Sequence, residues 1–140
     1  MIQAIYLNQD KQMIIKFQET EKIAPLSLGK EVLKTLCIQN GATYEGRRHA
    51  TIEILKVKQK VPILLSSKEL LFPTHSPEHL DCTWVNYYAI HKVHHHSQGC
   101  MIEFLNHTYL VLTNDIRTIK MQMKRCMLYD SYLTQHERSN

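Results

Sequence analysis

The feature that most constrains the fold of this chain is the shortness of its apolar runs, which polar or turn-forming residues interrupt throughout. The longest unbroken aliphatic runs, such as Ile63-Leu64-Leu65, fall far short of the ~18 apolar residues that a membrane-spanning helix needs. Met1–Gln12 lacks the basic start and apolar core of a signal peptide. The 140 residues, 44% of them apolar and with a formal charge of +4, predict one domain (1–140) that is soluble, cytoplasmic and without a membrane partner.

Two pairs of apolar runs are separated by short turn-forming stretches, a pattern typical of β-hairpins. The first predicted hairpin joins Ile2–Leu7 to Met13–Phe17, and the second joins Cys100–Phe104 to Thr108–Leu112. β-branched and aliphatic residues predict strands in three further segments: Thr51–Val57, Pro62–Leu65 and Trp84–His95.

Helical spacing of apolar residues occurs in two places. Ser27 can cap a short helix, which Asn40-Gly41 then ends. Asn114 is a good N-cap for an amphipathic helix that reaches about Leu133. The apolar stripe of this second helix comprises Ile116, Ile119, Met123, Cys126 and Met127. The chain is therefore predicted to be α+β, mainly an antiparallel sheet with one short internal helix and a C-terminal amphipathic helix.

Residues able to bind a metal are present but are not spaced as ligands. The four cysteines lie 45, 18 and 26 residues apart, which predicts reduced, buried thiols in place of zinc ligands. The run His94-His95-His96 is typical of a polar strand end, and no carboxylate follows it at close range. The usual catalytic motifs are missing from the sequence. We predict no metal, no cofactor and no enzymatic activity; a metal-dependent enzyme using the histidines is the weakest alternative.

A first basic cluster, Arg47-Arg48-His49, lies between two glycines and a predicted strand. Glycines allow positive φ, so a loop that presents these side chains outward is predicted. The residues predicted to shape this loop are Gly41, Tyr44 and Gly46. The planar arginine side chain suits phosphate contact or insertion into a narrow minor groove. A solvated surface turn is the alternative.

A second cluster consists of lysines that alternate along the next predicted strand, Lys56, Lys58 and Lys60. On a regular strand these lysines would lie on the same face as Ile52 and Ile54, which belong in the core. This conflict predicts either a bulge near Leu55 or a strand that projects beyond the core. The lysines would then extend the basic loop, or they would be edge residues that prevent aggregation.

A third cluster lies on the predicted terminal helix, where Arg117, Lys120 and Lys124 are spaced to line one face. A solvated helix exterior is the alternative for this cluster alone. Three separate basic clusters in a chain of only +4 net charge together favour a polyanionic partner.

Four segments in order resemble the ComK family of bacterial competence transcription factors. The first is the basic segment Gly41-Ala42-Thr43-Tyr44-Glu45-Gly46-Arg47-Arg48-His49-Ala50-Thr51. The others are Pro62-Ile63, Leu71-Phe72-Pro73-Thr74 and Cys82-Thr83-Trp84-Val85. The resemblance covers roughly Asn40 to Leu133. Longer members of the family continue well past the terminal helix, in a tail tied to regulated proteolysis and to activation.

The resemblance implies a sequence-specific activator of DNA-uptake genes that binds A/T-rich double-stranded DNA, largely through the minor groove, as a homo-oligomer and without a cofactor. It also implies a nucleoid-associated protein, with RNA polymerase and a proteolytic adaptor as further partners. The residues predicted to contact DNA are Arg47, Arg48, His49, Lys56, Lys58, Arg117, Lys120 and Lys124. The alternative is a protein-interaction module of the same fold that modulates a regulator without binding DNA. Convergence of the basic clusters on one surface would favour the first hypothesis, and their dispersal the second.

Overall fold

The structure is a computed structural model that describes the backbone of residues 1–139 and the side chains of residues 1–137. The strands of this part of the chain are β1 (Ile2–Leu7), β2 (Met13–Phe17), β3 (Glu21–Ala24), β4 (Ile63–Ser66), β5 (Glu69–Pro73), β6 (Trp84–Asn86), β7 (Ile90–His96), β8 (Gly99–Phe104) and β9 (Tyr109–Leu112). Its helices are α1 (Gly29–Gln39), α2 (Tyr44–Leu55), α3 (Ile116–Ser139) and a short 3-10 turn, Tyr87–Ala89.

The strands form two antiparallel sheets. The larger has the order β3-β2-β1-β6-β5-β4, and the smaller has the order β7-β8-β9. Both predicted hairpins are confirmed, β1 with β2 and β8 with β9. The three-residue strand β6 pairs with β1 on one side and with β5 on the other. The predicted α+β class is confirmed.

Both faces of the six-stranded sheet are covered, and this explains the continuous apolar sequence of β5. Leu70 and Phe72 belong to the core cluster that the smaller sheet and α3 complete. Leu71, between them, belongs to the other cluster, which contains α1 residues and Trp84. Successive side chains of a strand point to opposite faces, so all three can be buried at once. The described part of the chain therefore has three layers, with the six-stranded sheet in the middle.

The prediction of a loop followed by a strand across residues 41–57 is wrong, because α2 occupies most of this segment. Thr43 caps the helix, and its Oγ1 accepts a hydrogen bond from the Gly46 N–H at 3.0 Å. Thr51, a β-branched residue that suggested a strand, is buried and donates its hydroxyl to the Pro62 carbonyl at 2.8 Å. Lys56 ends the helix in the left-handed conformation, with φ 55°.

The ends of the other two helices differ in part from the prediction. Leu28, not Ser27, is the N-cap of α1, while Gly41 ends that helix as predicted, with φ 79°. α3 begins after Asp115, whose Oδ1 accepts the Arg117 N–H at 2.8 Å, so Asn114 is not its cap. α3 also extends past the predicted end to Ser139, and the segment predicted as one strand, Trp84–His95, is divided between β6, the 3-10 turn and β7.

The predicted burial of the cysteines is confirmed, because all four are buried. The tryptophan is also in the core, since Trp84 is fully buried. Its ring packs against the start of α1, where a Cβ on Gly29 would lie only 2.9 Å from Trp84 Cδ1. Glycine at this position therefore allows α1 to approach the sheet closely.

Candidate nucleic-acid interface

A cleft of about 460 Å³ opens between α1, α2, the loop that follows α2 and the loop that follows β5. Four basic side chains line it, and they come from three separate parts of the chain. These residues are Lys30, Arg48, Lys58 and Lys60. Two carboxylates, Glu45 and Glu78, also line the cleft, so its formal charge is positive on balance. A concave surface with this excess of positive charge is suited to a polyanion.

The loop that follows α2, residues 56–61, carries two of these lysines and has a fixed backbone. Lys56 and Lys60 at its two ends have left-handed conformations, with φ of 55° and 51°. Gln122, buried on α3, donates to the Lys60 carbonyl at 2.9 Å, and Arg125 donates to the Gln59 carbonyl at 2.9 Å. The predicted lysine stripe on a strand is therefore wrong, because these residues form a loop that α3 holds in place.

Lys30 approaches the cleft from α1, and its side chain is largely covered. Its Nζ lies 5.7 Å from the centre of the Tyr44 ring and 2.8 Å from Glu78 Oε1. The hydrogen bond and charge of Lys30 hold the pKa of Glu78 below its usual range. Burial raises the pKa of Tyr44 to about 12, so this phenol is neutral at physiological pH. Tyr44 is the first residue of α2 and packs edge-on against Trp84, a structural position unlike the predicted role in a loop.

The two adjacent arginines of α2 face different parts of the surface. Neighbouring residues of an α-helix project about 100° apart, and Arg48 lines the basic cleft whereas Arg47 lines a separate cleft of about 270 Å³. That second cleft also contains Asp130 and Glu137 of α3, and the Arg47 Nε is buried there without a hydrogen-bond partner. The structure thus brings Arg48, but not Arg47, to the basic cleft.

The other residues predicted on or near α2 lie outside the lining of the cleft. His49 is exposed, and Lys56 forms an ion pair with Glu53, with 3.6 Å between Nζ and Oε2. Gly46 lies in the first turn of α2 and shapes no loop. Of the predicted residues on this side of the molecule, Arg48 and Lys58 are the two that converge.

The basic residues predicted on the terminal helix share an exposed face of α3, as their spacing indicates. Lys120 and Lys124 are exposed there, and Arg117 is held by the Asp115 carboxylate through two side-chain hydrogen bonds of 3.1 and 3.2 Å. This face points away from the buried side of the helix, and none of the three lines the basic cleft. The three predicted basic clusters therefore converge only in part.

Three cationic residues near the cleft, Lys30, Lys60 and Arg125, were not among the predicted site residues. Lys30 has no signal in the sequence, because it is a single lysine at the start of an ordinary amphipathic helix. Lys60 is one of the alternating lysines, and Arg125 directly follows Lys124, so it projects about 100° away from that lysine around α3. Only the tertiary structure brings these residues together.

The histidine run ends on the outer face of the smaller sheet, where it meets a carboxylate that the sequence did not suggest. His94 Nε2 lies 2.8 Å from Glu103 Oε1, and His107 Nδ1 lies 3.6 Å from Glu103 Oε2. The hydrogen bond with His94 is the main cause that lowers the pKa of Glu103. Among the described residues, no group of three or more histidine, cysteine or acidic side chains has a geometry that could hold a metal ion.

No helix in the described part of the chain is long and apolar enough to cross a membrane. The fold and the cleft define a class: an α+β protein of two antiparallel sheets with a basic concave surface. The family model described as ComK protein matches residues 1–138, nearly the whole chain. The chain therefore belongs to the ComK family, a family of competence transcription factors. Searches of curated proteins and of solved structures gave no significant match.

Proposed function

We propose that this protein is a sequence-specific activator of competence genes that binds A/T-rich double-stranded DNA through the minor groove, with the basic cleft as its contact surface. The observation that carries the proposal is the convergence of Arg48 and Lys58 with Lys30 and Lys60 in one cleft. Cations grouped on a concave surface neutralise several phosphates at once, which is the main source of affinity for DNA.

The part of the cleft that reaches into the groove is the loop 56–61. An α-helix with its side chains is about 10–12 Å wide, so α2 is too wide for a minor groove about 6 Å across. The loop carries Lys58 on a single stretch of backbone between the left-handed residues Lys56 and Lys60, and the Lys58 side chain is exposed. In A/T-rich tracts the minor groove is narrow and its electrostatic potential is more negative, so an inserted cation binds there more strongly. Arg48 and Lys30 would then contact the phosphates that flank the groove.

A second candidate function, contact with another protein, is favoured by the outward face of α3. Met121 and Leu128 are each about half exposed there, close to Lys120 and Lys124. Exposed apolar side chains among cations are more typical of a protein interface than of a phosphate contact. Within the leading proposal, this face would serve oligomer formation or contact with RNA polymerase or a proteolytic adaptor. Without DNA binding, it would make the chain an interaction module.

The proposal is tested by titrating A/T-rich and G/C-rich duplexes of equal length with the protein at two salt concentrations, with fluorescence anisotropy as the readout. Wild-type protein should prefer the A/T-rich duplex, and its affinity should fall steeply as salt is added. Lys58→Ala should lose about 1–3 kcal/mol on the A/T-rich duplex and flatten the preference. Arg48→Ala should weaken binding to both duplexes alike.

Arg47→Ala and Lys124→Ala serve as matched controls, because each removes one cation outside the cleft. Both should bind within about twofold of wild type once the long-range charge is screened by salt. Equal and weak binding of wild type to all duplexes would contradict the proposal of a sequence-specific regulator. The second candidate function, a protein-interaction module, would then remain. Loss of affinity in Arg47→Ala, with Arg48→Ala unaffected, would contradict the choice of cleft.

A further inference from the structure

Glu78 is one of the two carboxylates, with Glu45, that line a cleft containing four cationic side chains. Its Oε1 lies 2.8 Å from Lys30 Nζ, and the pair spans the cleft from the loop after β5 to α1. The lysine side chain is 19% exposed and the glutamate side chain is 69% exposed. The covered partner is therefore the cation, while the carboxylate reaches it from solvent and can leave again without disturbing the core.

The loop that carries Glu78 is folded and anchored at its base. The Thr74 N–H donates to the Thr83 carbonyl at 2.9 Å, which closes the loop, and the His79 N–H donates to the Ser76 carbonyl at 2.9 Å within it. The rings of His75 and His79 stack with their centres 5.2 Å apart. The hydrogen bonds of this loop hold the backbone of Glu78 opposite Lys30, so the ion pair can open by side-chain rotation without unfolding the loop.

We propose that Glu78 is a built-in competitor for DNA phosphate: it occupies Lys30 in the free protein, and a duplex must displace it to use the whole cleft. This inference rests on the proposed function of the cleft. A carboxylate and a phosphate oxygen are both anionic acceptors for the same ammonium group, so Lys30 cannot serve both fully. Glu78 thereby lowers the affinity of the cleft for any polyanion. Stable complexes then require the additional contacts that the groove of a suitable sequence provides.

The competition has two consequences, and the second, a dependence on Lys30, separates it from a simple charge effect. Phosphate contacts carry no sequence information, so removing the competitor should strengthen binding to A/T-rich and G/C-rich duplexes by the same factor. Exposed ion pairs correspond to gains of up to about 5-fold, and the covered position of Lys30 places this pair in the upper part of that range, at about 3- to 5-fold. The gain should depend on Lys30, because without this lysine there is nothing for the carboxylate to withhold.

The test compares Glu78→Gln with Glu31→Gln by anisotropy titration of both duplexes. Glu31 is a matched control because it lies on the same helix as Lys30, pairs with Lys34 at 4.0 Å and does not line the cleft. The two variants change the net charge equally. Glu78→Gln should bind both duplexes about 3- to 5-fold more tightly than wild type, and Glu31→Gln should bind less than twofold more tightly.

Lys30→Gln and the double variant Lys30→Gln/Glu78→Gln complete the cycle. Lys30→Gln should reduce the dependence of log affinity on log salt by about 0.9, because one phosphate contact is lost. The double variant should bind less than twofold more tightly than Lys30→Gln alone, the gain expected from the lost charge by itself. All variants should keep the melting temperature of wild type within about 2 °C, since the glutamate is exposed and the pair is weak.

Two results would overturn the competition: equal gains for Glu78→Gln and Glu31→Gln, or a 3- to 5-fold gain that survives in the double variant. Either result would leave the proposed function intact, because wild type would still bind. Failure of wild type and all variants to bind either duplex would instead overturn the proposed function itself. The two failures are therefore distinguishable in one set of titrations.

Discussion

Asn86 is a polar side chain in the middle of the six-stranded sheet, and we predict that replacing it with alanine removes a large part of the protein's stability. Its Nδ2 donates to the Ile2 carbonyl at 2.7 Å and to the Lys68 carbonyl at 3.1 Å. Its Oδ1 accepts from the Leu70 and Tyr88 N–H groups, both at 3.1 Å. These are the four hydrogen bonds that a side-chain amide can make, and the residue is fully buried.

The magnitude follows from the burial of the partners that Asn86→Ala would leave behind. The bonds to the Ile2 carbonyl and the Leu70 N–H are buried, so water cannot replace the lost amide at these groups. Each such unsatisfied group costs about 1–3 kcal/mol. The bonds to Lys68 and Tyr88 are partly exposed and cost less. The expected loss is about 3–7 kcal/mol, a large share of the ~5–15 kcal/mol that stabilises a typical domain.

Urea unfolding followed by the fluorescence of the single tryptophan, Trp84, measures this loss. Asn8→Ala is the matched control, because Asn8 makes three side-chain hydrogen bonds that are all exposed. The control should lose less than about 1 kcal/mol. If Asn86→Ala lost no more free energy of unfolding than Asn8→Ala, the burial of the hydrogen bonds would have no effect on stability. That result would refute the reasoning.

Two further predictions concern the core and the loop beside the cleft. Trp84→Ala should lower the free energy of unfolding by about 3–5 kcal/mol, because the ring is fully buried. For the same reason acrylamide should quench the fluorescence of Trp84 poorly in the native protein. Ready quenching that DNA suppresses would instead indicate a residue that stacks on a base. Burial is the main cause that lowers the pKa of His75, and the charges of His79 and Lys60 add to it. The unfolded chain therefore binds more protons at this histidine than the folded chain does below about pH 6.5. The free energy of unfolding should fall as the pH drops from about 7.5 to about 5.5. His75→Gln should lessen that fall in urea titrations, and an identical pH dependence in the two proteins would contradict the assignment.

The elements that the sequence predicted correctly are those whose signals are local. The hairpin of β8 and β9 is marked by two alternating strands and a short turn, and its interior positions Ile102 and Phe104 are buried as alternation requires. The stripe of α3 likewise identifies its buried face through Ile119 and Cys126. In both cases one segment contains the whole pattern.

α2 was missed because its local signals oppose the structure. Ile52 and Ile54 favour a strand by propensity, and two glycines precede them. The helix is stabilised instead by contacts outside the segment, among them the bond from the Thr51 hydroxyl to the Pro62 carbonyl. The apolar residues of α2 are mostly only half-buried, because this helix has no continuous apolar face against the core. Its sequence therefore shows only a weak helical repeat of apolar residues.

The candidate site was harder to predict than the fold, because its members are distant in sequence. Lys30 and Glu78 are 48 positions apart, and they meet only when α1 and the loop after β5 lie on the same side of the sheet. The sequence predicted Arg48 and Lys58 as site residues, and the structure places both in the lining of one cleft. The sequence could not separate Arg48 from Arg47, since that distinction depends on the residues being helical.

The position of β6 has a consequence for how the chain is synthesised. On one side of the sheet β2 pairs with both β1 and β3, and on the other side β4 pairs with β5. Each side can therefore form from strands that are neighbours in sequence. Among the described strands, Trp84–Asn86 is the one that pairs with both sides. As the chain leaves the ribosome, the free edge of β1 stays open until these three residues emerge, and an open edge can pair with another chain. The yield of folded protein thus depends on how quickly one very short strand finds both of its partners.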